Sequence, residues 1–298
     1  MKRKIIKLGK STYVVSLPSA WFRKYALQQG SYLELEEQGN SLMVSTESIV
    51  KGKSISITLP KVELFLKRHI TTPYRFGYDQ IELTYKDPAC FKKIQKAIPL
   101  LVGFEIVEQG EKHCVLRNIS TSFEDEFENI FNRLFLIIKY ELEVLKEVVD
   151  SKEFERLEYV RELDFNIDKL GIFCERVINK RGSNNFTENA FSYITIWSLE
   201  QISDDIKRIT SQIQEHKLSS QTIQLALNIL FDFYSQFTLL YKKPSLEGIV
   251  EFRNVQLVIV EKLNKLLLKA KSNELQSVAF IMQAVEKINN ISFSIQPK

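Results

Sequence analysis

From Phe123 onward the strand-type alternation stops and apolar residues recur about every 3.6 positions. Segments near 123–149, 152–181, 187–216, 220–243, 245–271 and 273–292 each carry such a stripe. The pattern breaks at Asp150-Ser151, Arg181-Gly182-Ser183, His216-Lys217-Leu218-Ser219, Lys243-Pro244 and Ser272-Asn273. Six helices of about 20 to 30 residues with short connections predict two successive three-helix units, a repeat of architecture without residue-by-residue identity. Gly (10) and Pro (7) are scarce among 298 residues, so little punctuates these helices.

The first 48 residues read differently. "KRKIIKL" and "TYVVSL" are short β-rich runs around Gly-Lys-Ser, a turn signal. Pro18 suits the start of the short helix "SAWFRKYAL", and Gly30 lies past its end. "SYLELEE" and "SLMVS" form a further hairpin around Gln38-Gly39-Asn40. This β-β-α-β-β order is too short to bury a good core alone, so pairing with a second copy is expected. The same stretch has no Asp or Glu before Glu34, yet holds Lys2, Arg3, Lys4, Lys7, Lys10, Arg23 and Lys24. The chain's formal charge is only +4, so its positive charge is concentrated at this end.

Residues 49–120 predict β-α-β-α-β-β, a small α+β layer with helices on one face of a sheet. "DPACFKKIQKAIPLL" is a helix opened by Asp87-Pro88, and "FEIVEQG" with "KHCVLRNI" is a hairpin. His69 and His113 stand alone and read as surface or packing residues. Cys90, Cys114 and Cys174 have no metal-type spacing, which points to reduced thiols and a cytoplasmic location. "MKRKIIKLGK" fails as a signal peptide because Lys7, Gly9 and Lys10 break its apolar run. Charges interrupt even the most apolar helical segment, so no membrane insertion is expected. There is no phosphate-binding Gly-rich loop, no Glu-x-x-His pair and no nucleophile beside a base, so the chain does not read as an enzyme.

Two acidic pairs stand out in the helical half. "DFNID" spaces Asp164 and Asp168 one turn apart, and "EQISD" does the same for Glu200 and Asp204. Asp164 and Asp168 flank the apolar seam Leu163, Ile167, Leu170, Cys174, Val177, whereas Glu200 and Asp204 fall nearly opposite the seam Ile202, Ile206, Ile209, Ile213. Four carboxylates on neighbouring antiparallel helices suit hard or borderline metal ions. Charged stripes on long helices are more often solvated faces, and Lys169, Lys207 and Arg208 stand nearby to pair with them.

Leu8-Gly9-Lys10-Ser11, Val15-Ser16-Leu17-Pro18, Trp21, Leu27 and Gly30 resemble the AbrB/MazE/SpoVT swapped-hairpin domain. That resemblance implies a homodimer of interleaved hairpins with a basic face on DNA. Lys7, Lys10, Arg23 and Lys24 would then be the contacts, with Lys2, Arg3 and Lys4 supporting them on the backbone. Ser16 stands where many antitoxin members carry Arg, so the face would position the protein on phosphates more than read bases. The helical half resembles PhoU, whose acidic motifs "DFNID" and "LEQISD" match. By that resemblance Asp164, Asp168, Glu200 and Asp204 would bind iron or zinc. The second repeat departs from the motif: "VEKINN" keeps Glu286 but has Asn290, and "EFRNV" offers only Glu251.

The order of parts is similar to archaeal-type PhoU-family phosphate uptake regulators. It implies a swapped-hairpin domain at 1–48, a small α+β domain at 49–120 and a PhoU-like helical domain at 121–298. The expected protein is a homodimeric, DNA-binding regulator of phosphate uptake, whose helices sense a metal or phosphate status or meet phosphate ABC transporter subunits. The alternatives are an adaptor of such a transporter that uses its first domain only to dimerise, and an antitoxin-like partner.

Overall fold

A computed structural model describes residues 2–38, 41–46, 52–60, 66–120, 126–181 and 186–295. Its contacts divide the chain into two compact units, Met1–Gly52 and Lys53–Lys298.

In the first unit β1 (Ile6–Leu8) pairs antiparallel with β2 (Thr12–Val14), Lys7 opposite Tyr13. Gly9 turns the chain between them at φ +77°, a left-handed value that side chains with a Cβ resist. Helix α1 (Ser19–Lys24) follows, with Pro18 at its cap rather than inside its first turn. Trp21 packs on Tyr25, ring centroids 5.5 Å apart. β3 (Leu33–Gln38) and β4 (Ser41–Thr46) form a second antiparallel hairpin, and the turn residues Gly39 and Asn40 fall outside the described residues. The expected β-β-α-β-β order is present. Among the described residues its two hairpins form separate two-stranded sheets. Among the described residues of this unit no apolar side chain is buried, and Ile5, Ile6, Leu8, Tyr13, Tyr32 and Leu35 are more than half exposed.

The second unit opens with a four-stranded sheet in the order β5-β6-β8-β7, made of β5 (Ser54–Thr58), β6 (Gln80–Thr84), β7 (Phe104–Gln109) and β8 (His113–Asn118). β5 and β6 run parallel because α2 (Leu66–Arg75) crosses between them. α3 (Ala89–Ala97) starts where Asp87 Oδ1 accepts the Ala89 N–H at 2.8 Å. Ile70, Tyr74, Ile81, Leu83, Ile94 and Leu116 fill this layer's core, and Ile172 joins it from the helical half.

Six long helices follow: α4 (Phe127–Ser151), α5 (Leu157–Arg181), α6 (Phe186–His216), α7 (Gln221–Lys242), α8 (Leu246–Lys269) and α9 (Leu275–Ser292). They agree with the six stripes to within a few residues. Ser220 and Ser245 cap α7 and α8, accepting the Ile223 and Gly248 N–H groups. α4–α6 pack as one group and α7–α9 as another, joined along α6 and α9 and along α4 and α7. One core runs through both, where Phe135 of α4 meets Tyr241 of α7 at 4.8 Å and Phe233 stacks on Phe252 at 4.4 Å. Ile202, Ile206, Ile209 and Ile213 are wholly buried in it. No described helix is long and apolar enough to cross a membrane.

Arg176 of α5 fastens the layer to the helices. Its guanidinium donates to the Tyr74 and Tyr78 carbonyls at 3.0 and 2.6 Å and to Asp79 Oδ1 at 2.5 Å. It lies over the Tyr74 and Phe104 rings, 4.8 and 5.0 Å from their centroids. The Tyr74 and Tyr78 carbonyls belong to the last turn of α2 and the chain just beyond it, where helix carbonyls lack intrahelical partners. Asn179 donates to the Arg75 carbonyl at 2.8 Å, and Lys180 pairs with Asp79 at 2.9 Å. Arg176→Met should cost roughly 2–4 kcal/mol in urea unfolding, because it leaves the Tyr78 carbonyl without its donor and removes one of the two cations on Asp79. Arg176→Lys should recover little of it, since a point charge cannot reproduce the fork. A loss below about 1 kcal/mol for Arg176→Met would show that the layer is held by its apolar contacts instead.

Candidate functional site

The basic residues of the first unit come from three places. Lys2, Arg3 and Lys4 precede β1. Lys7 and Lys10 lie on the β1–β2 hairpin, and Arg23 and Lys24 end α1, where cations suit the helix dipole. All seven are exposed. Among the described residues none of them forms an ion pair, and Lys24 Nζ lies 5.3 Å from the Tyr25 ring.

The acidic pairs meet at the junction of α5, α6 and α2. Asp164 is buried; its Oδ1 accepts from Ser203 at 3.2 Å and its Oδ2 from Lys207 at 2.6 Å. Ser203 lies within hydrogen-bonding distance of Glu141 as well, 3.2 Å from Oε2. Asp168 is taken by Lys67 of α2 at 2.7 Å. Arg75, at the other end of α2, reaches Glu175 at 2.7 Å and Glu200 at 3.6 Å. Glu200 fits against Gly171 of α5, where an added Cβ would stand 2.4 Å from Glu200 Oε1. A basic helix from the α+β layer thus lies across the acidic stretch of α5 and α6.

Burial governs the titration of this patch. It pushes the Glu200 carboxyl from an ordinary 4.5 to about 8, and Glu175 adds to the rise while Arg75 opposes it. Glu141 is held well above the carboxylate range by burial and by the nearby Asp164. Asp204 is raised by burial, then by Asp164 and Asp168, against Lys207 and Arg208. Asp168 and Asp204 therefore lie within electrostatic reach of Glu200, and Asp164 within reach of Asp204.

The arrangement does not fit a bound iron or zinc as it stands. Asp164 and Asp168 each already hold an ammonium group. Among the described residues no group of three or more His, Cys, Asp or Glu side chains is placed to hold a metal ion. Glu200 is not on an outer solvated face either, since Arg75 and α5 cover it. In the second repeat Glu251, Glu286 and Asn290 are exposed. Buried Asn289 accepts from Arg253 at 3.1 Å, and Lys287 crosses back to Asp205 at 2.5 Å.

Glu141, Glu175, Asp205, Lys67 and Arg75 were not singled out from the sequence. Glu141 sits three residues after Ile138 and one before Leu142, and Asp205 three after Ile202, so both fall on apolar seams. That position was a legible sign of burial. The pairing with α2 was not, because Lys67 and Asp168 are 101 positions apart.

No family model matches the chain, and no curated protein matches it. Its structure is similar to the crystal structure of the phosphate transport system regulatory protein PhoU from Streptococcus pneumoniae, at 12% identity and a TM-score of 0.44. The match covers 58% of this chain and 92% of that one.

Two outcomes follow from the carboxylates. A group whose folded pKa lies above its unfolded value loses stability as pH rises between the two. Glu200 should therefore weaken the fold as pH climbs from about 4.5 to about 8. Glu200→Gln should stabilise the fold against urea more at pH 8 than at pH 5, the difference being on the order of a few kcal/mol. An equal effect at both pH values would contradict the buried placement. Zinc or iron should leave the melting curve of the parent unmoved, because Lys67 and Lys207 already neutralise the aspartates. Lys67→Gln with Lys207→Gln should create a metal-dependent rise by freeing those carboxylates, and a large rise in the parent would contradict this reading.

Proposed function

We propose that this chain is a dimeric, DNA-binding regulator of phosphate uptake, with its amino-terminal hairpins on the duplex and its helical half as the sensory or transporter-facing part. One observation carries the DNA-binding half: seven exposed cations, with no acid before Glu34, on a unit that buries none of its described apolar side chains. Bare apolar hairpins call for a second copy, and dense uncompensated cations call for a polyanion. A duplex supplies one negative charge per about 1.7 Å of axis, and a paired unit presents twice the cations of one. The phosphate-uptake part rests on the motifs "DFNID" and "LEQISD", whose carboxylates lie together across α5 and α6.

Lysine-rich contacts of this kind act through phosphate neutralisation, so affinity should fall steeply with salt and depend little on sequence. Changing Lys10, Arg23 and Lys24 together to Ala should weaken binding to all duplexes. It should also make the slope of log K against log salt shallower by roughly 2–3 per chain. Fluorescence anisotropy across a salt series reads both. A parent that binds no duplex at low salt would favour the transporter adaptor, with the first unit serving only to dimerise.

A further inference from the structure

Helix α8 carries an apolar face that no described part of its own unit covers. Leu246, Val250, Leu257, Val258 and Leu268 are each more than half exposed. At 100° per residue they fall on one side of the helix, turned away from Phe252, Ile259 and Leu263, which pack into the bundle. Isolated exposed leucines are ordinary, but a stripe of five along one helix marks a contact surface.

The charges on one flank of this stripe are sorted along the helix, with Glu247 and Glu251 in its first half and Lys262, Lys265 and Lys269 in its second; Arg253 and Glu261 run against that order. Turned end for end about Val258, near the middle of α8, this flank of the helix becomes its own complement. Glu247 then faces Lys269 and Glu251 faces Lys265, each acid meeting a base. A parallel pairing would set Glu247 on Glu247 and Lys265 on Lys265. Flanking charges fix the partner and orientation of a helix pair, and a patch that complements itself about a twofold axis is what a closed dimer needs. We propose that α8 docks antiparallel against α8 of a second copy, as a self-contact in the helical half distinct from the amino-terminal hairpins.

The side chains involved are free to change partners. Lys265 pairs with Glu261 at 2.5 Å on the open surface. Surface pairs of this kind contribute little and exchange readily. One pair of 24-residue helices buries less than a stand-alone interface does. The contact therefore gains from chains already paired through their hairpins, which raises the effective concentration of the second contact. To that extent it rests on the hairpin pairing proposed above.

Cysteine cross-linking tests it in the full-length chain, with the partly exposed Cys90 changed to Ser and Cys114 and Cys174 left buried. Under mild oxidation Leu257→Cys should give a covalent dimer, because the axis brings the two copies of that position together. Leu246→Cys should link to itself about tenfold more slowly, yet should link to Leu268→Cys when the two chains are mixed. Glu247→Lys with Glu251→Lys should slow the Leu257→Cys link, and a partner carrying Lys265→Glu with Lys269→Glu should restore it. Absence of a link through Leu257→Cys, or self-linking of Leu246→Cys as fast as that of Leu257→Cys, would overturn the proposal. Sedimentation of the same samples separates the two contacts: a dimer without the Leu257→Cys link keeps the hairpin pairing and removes the α8 contact.

Discussion

A single guanidinium decides how the second unit is put together. Arg176 leaves a helix of the bundle, passes beneath two aromatic rings and ends on two carbonyls and a carboxylate of the α+β layer. A buried arginine is stable only when its donors are met, and a planar fork can meet several acceptors at fixed angles. That requirement sets the layer's position on α5. With the end of α2 fixed by Arg176 and by Asn179, the rest of α2 must run along the bundle. Ile172, four residues before Arg176 and so on the same face of α5, joins the layer's core.

The acidic patch follows from that placement. Lys67 and Arg75 sit near opposite ends of α2, and the helix delivers one to Asp168 and the other to Glu175 and Glu200. Carboxylates that would repel across α5 and α6 are answered by cations of the same chain. Glu141 and Glu200 remain under-compensated, and each shows the expected consequence, a carboxyl that favours its proton. Gly171 permits the close approach, since any side chain there would strike Glu200. Lys207 completes the set from α6 itself.

Much of this fold is legible in the sequence because the signals are local. The helices of the second half end at Ser151, Arg181, His216, Lys242 and Lys269, beside the polar and proline breaks. The isoleucine seam of α6 is buried along its whole length, as a 3.6-residue stripe requires. The candidate site is only half legible for the same reason. Spacing within a helix finds the pairs Asp164 with Asp168 and Glu200 with Asp204. It does not reveal that a helix about a hundred residues earlier lies across them. Periodicity also misplaces Glu200, because the covering element comes from outside the helix. In the first unit the pattern of strands and turns is readable, and exposure of both hairpins agrees with a stretch too short to close on itself.

The central claim is a division of labour: the acid-free amino terminus meets a polyanion while the cations of α2 stay bound to the protein's own carboxylates. Hydrogen–deuterium exchange of the full-length protein, with and without a short duplex at low salt, tests this directly. The account predicts slowed exchange confined to residues 2–25, with α2 and the facing stretches of α5 and α6 unchanged. Protection of α2 by the duplex, with residues 2–25 unaffected, would contradict it.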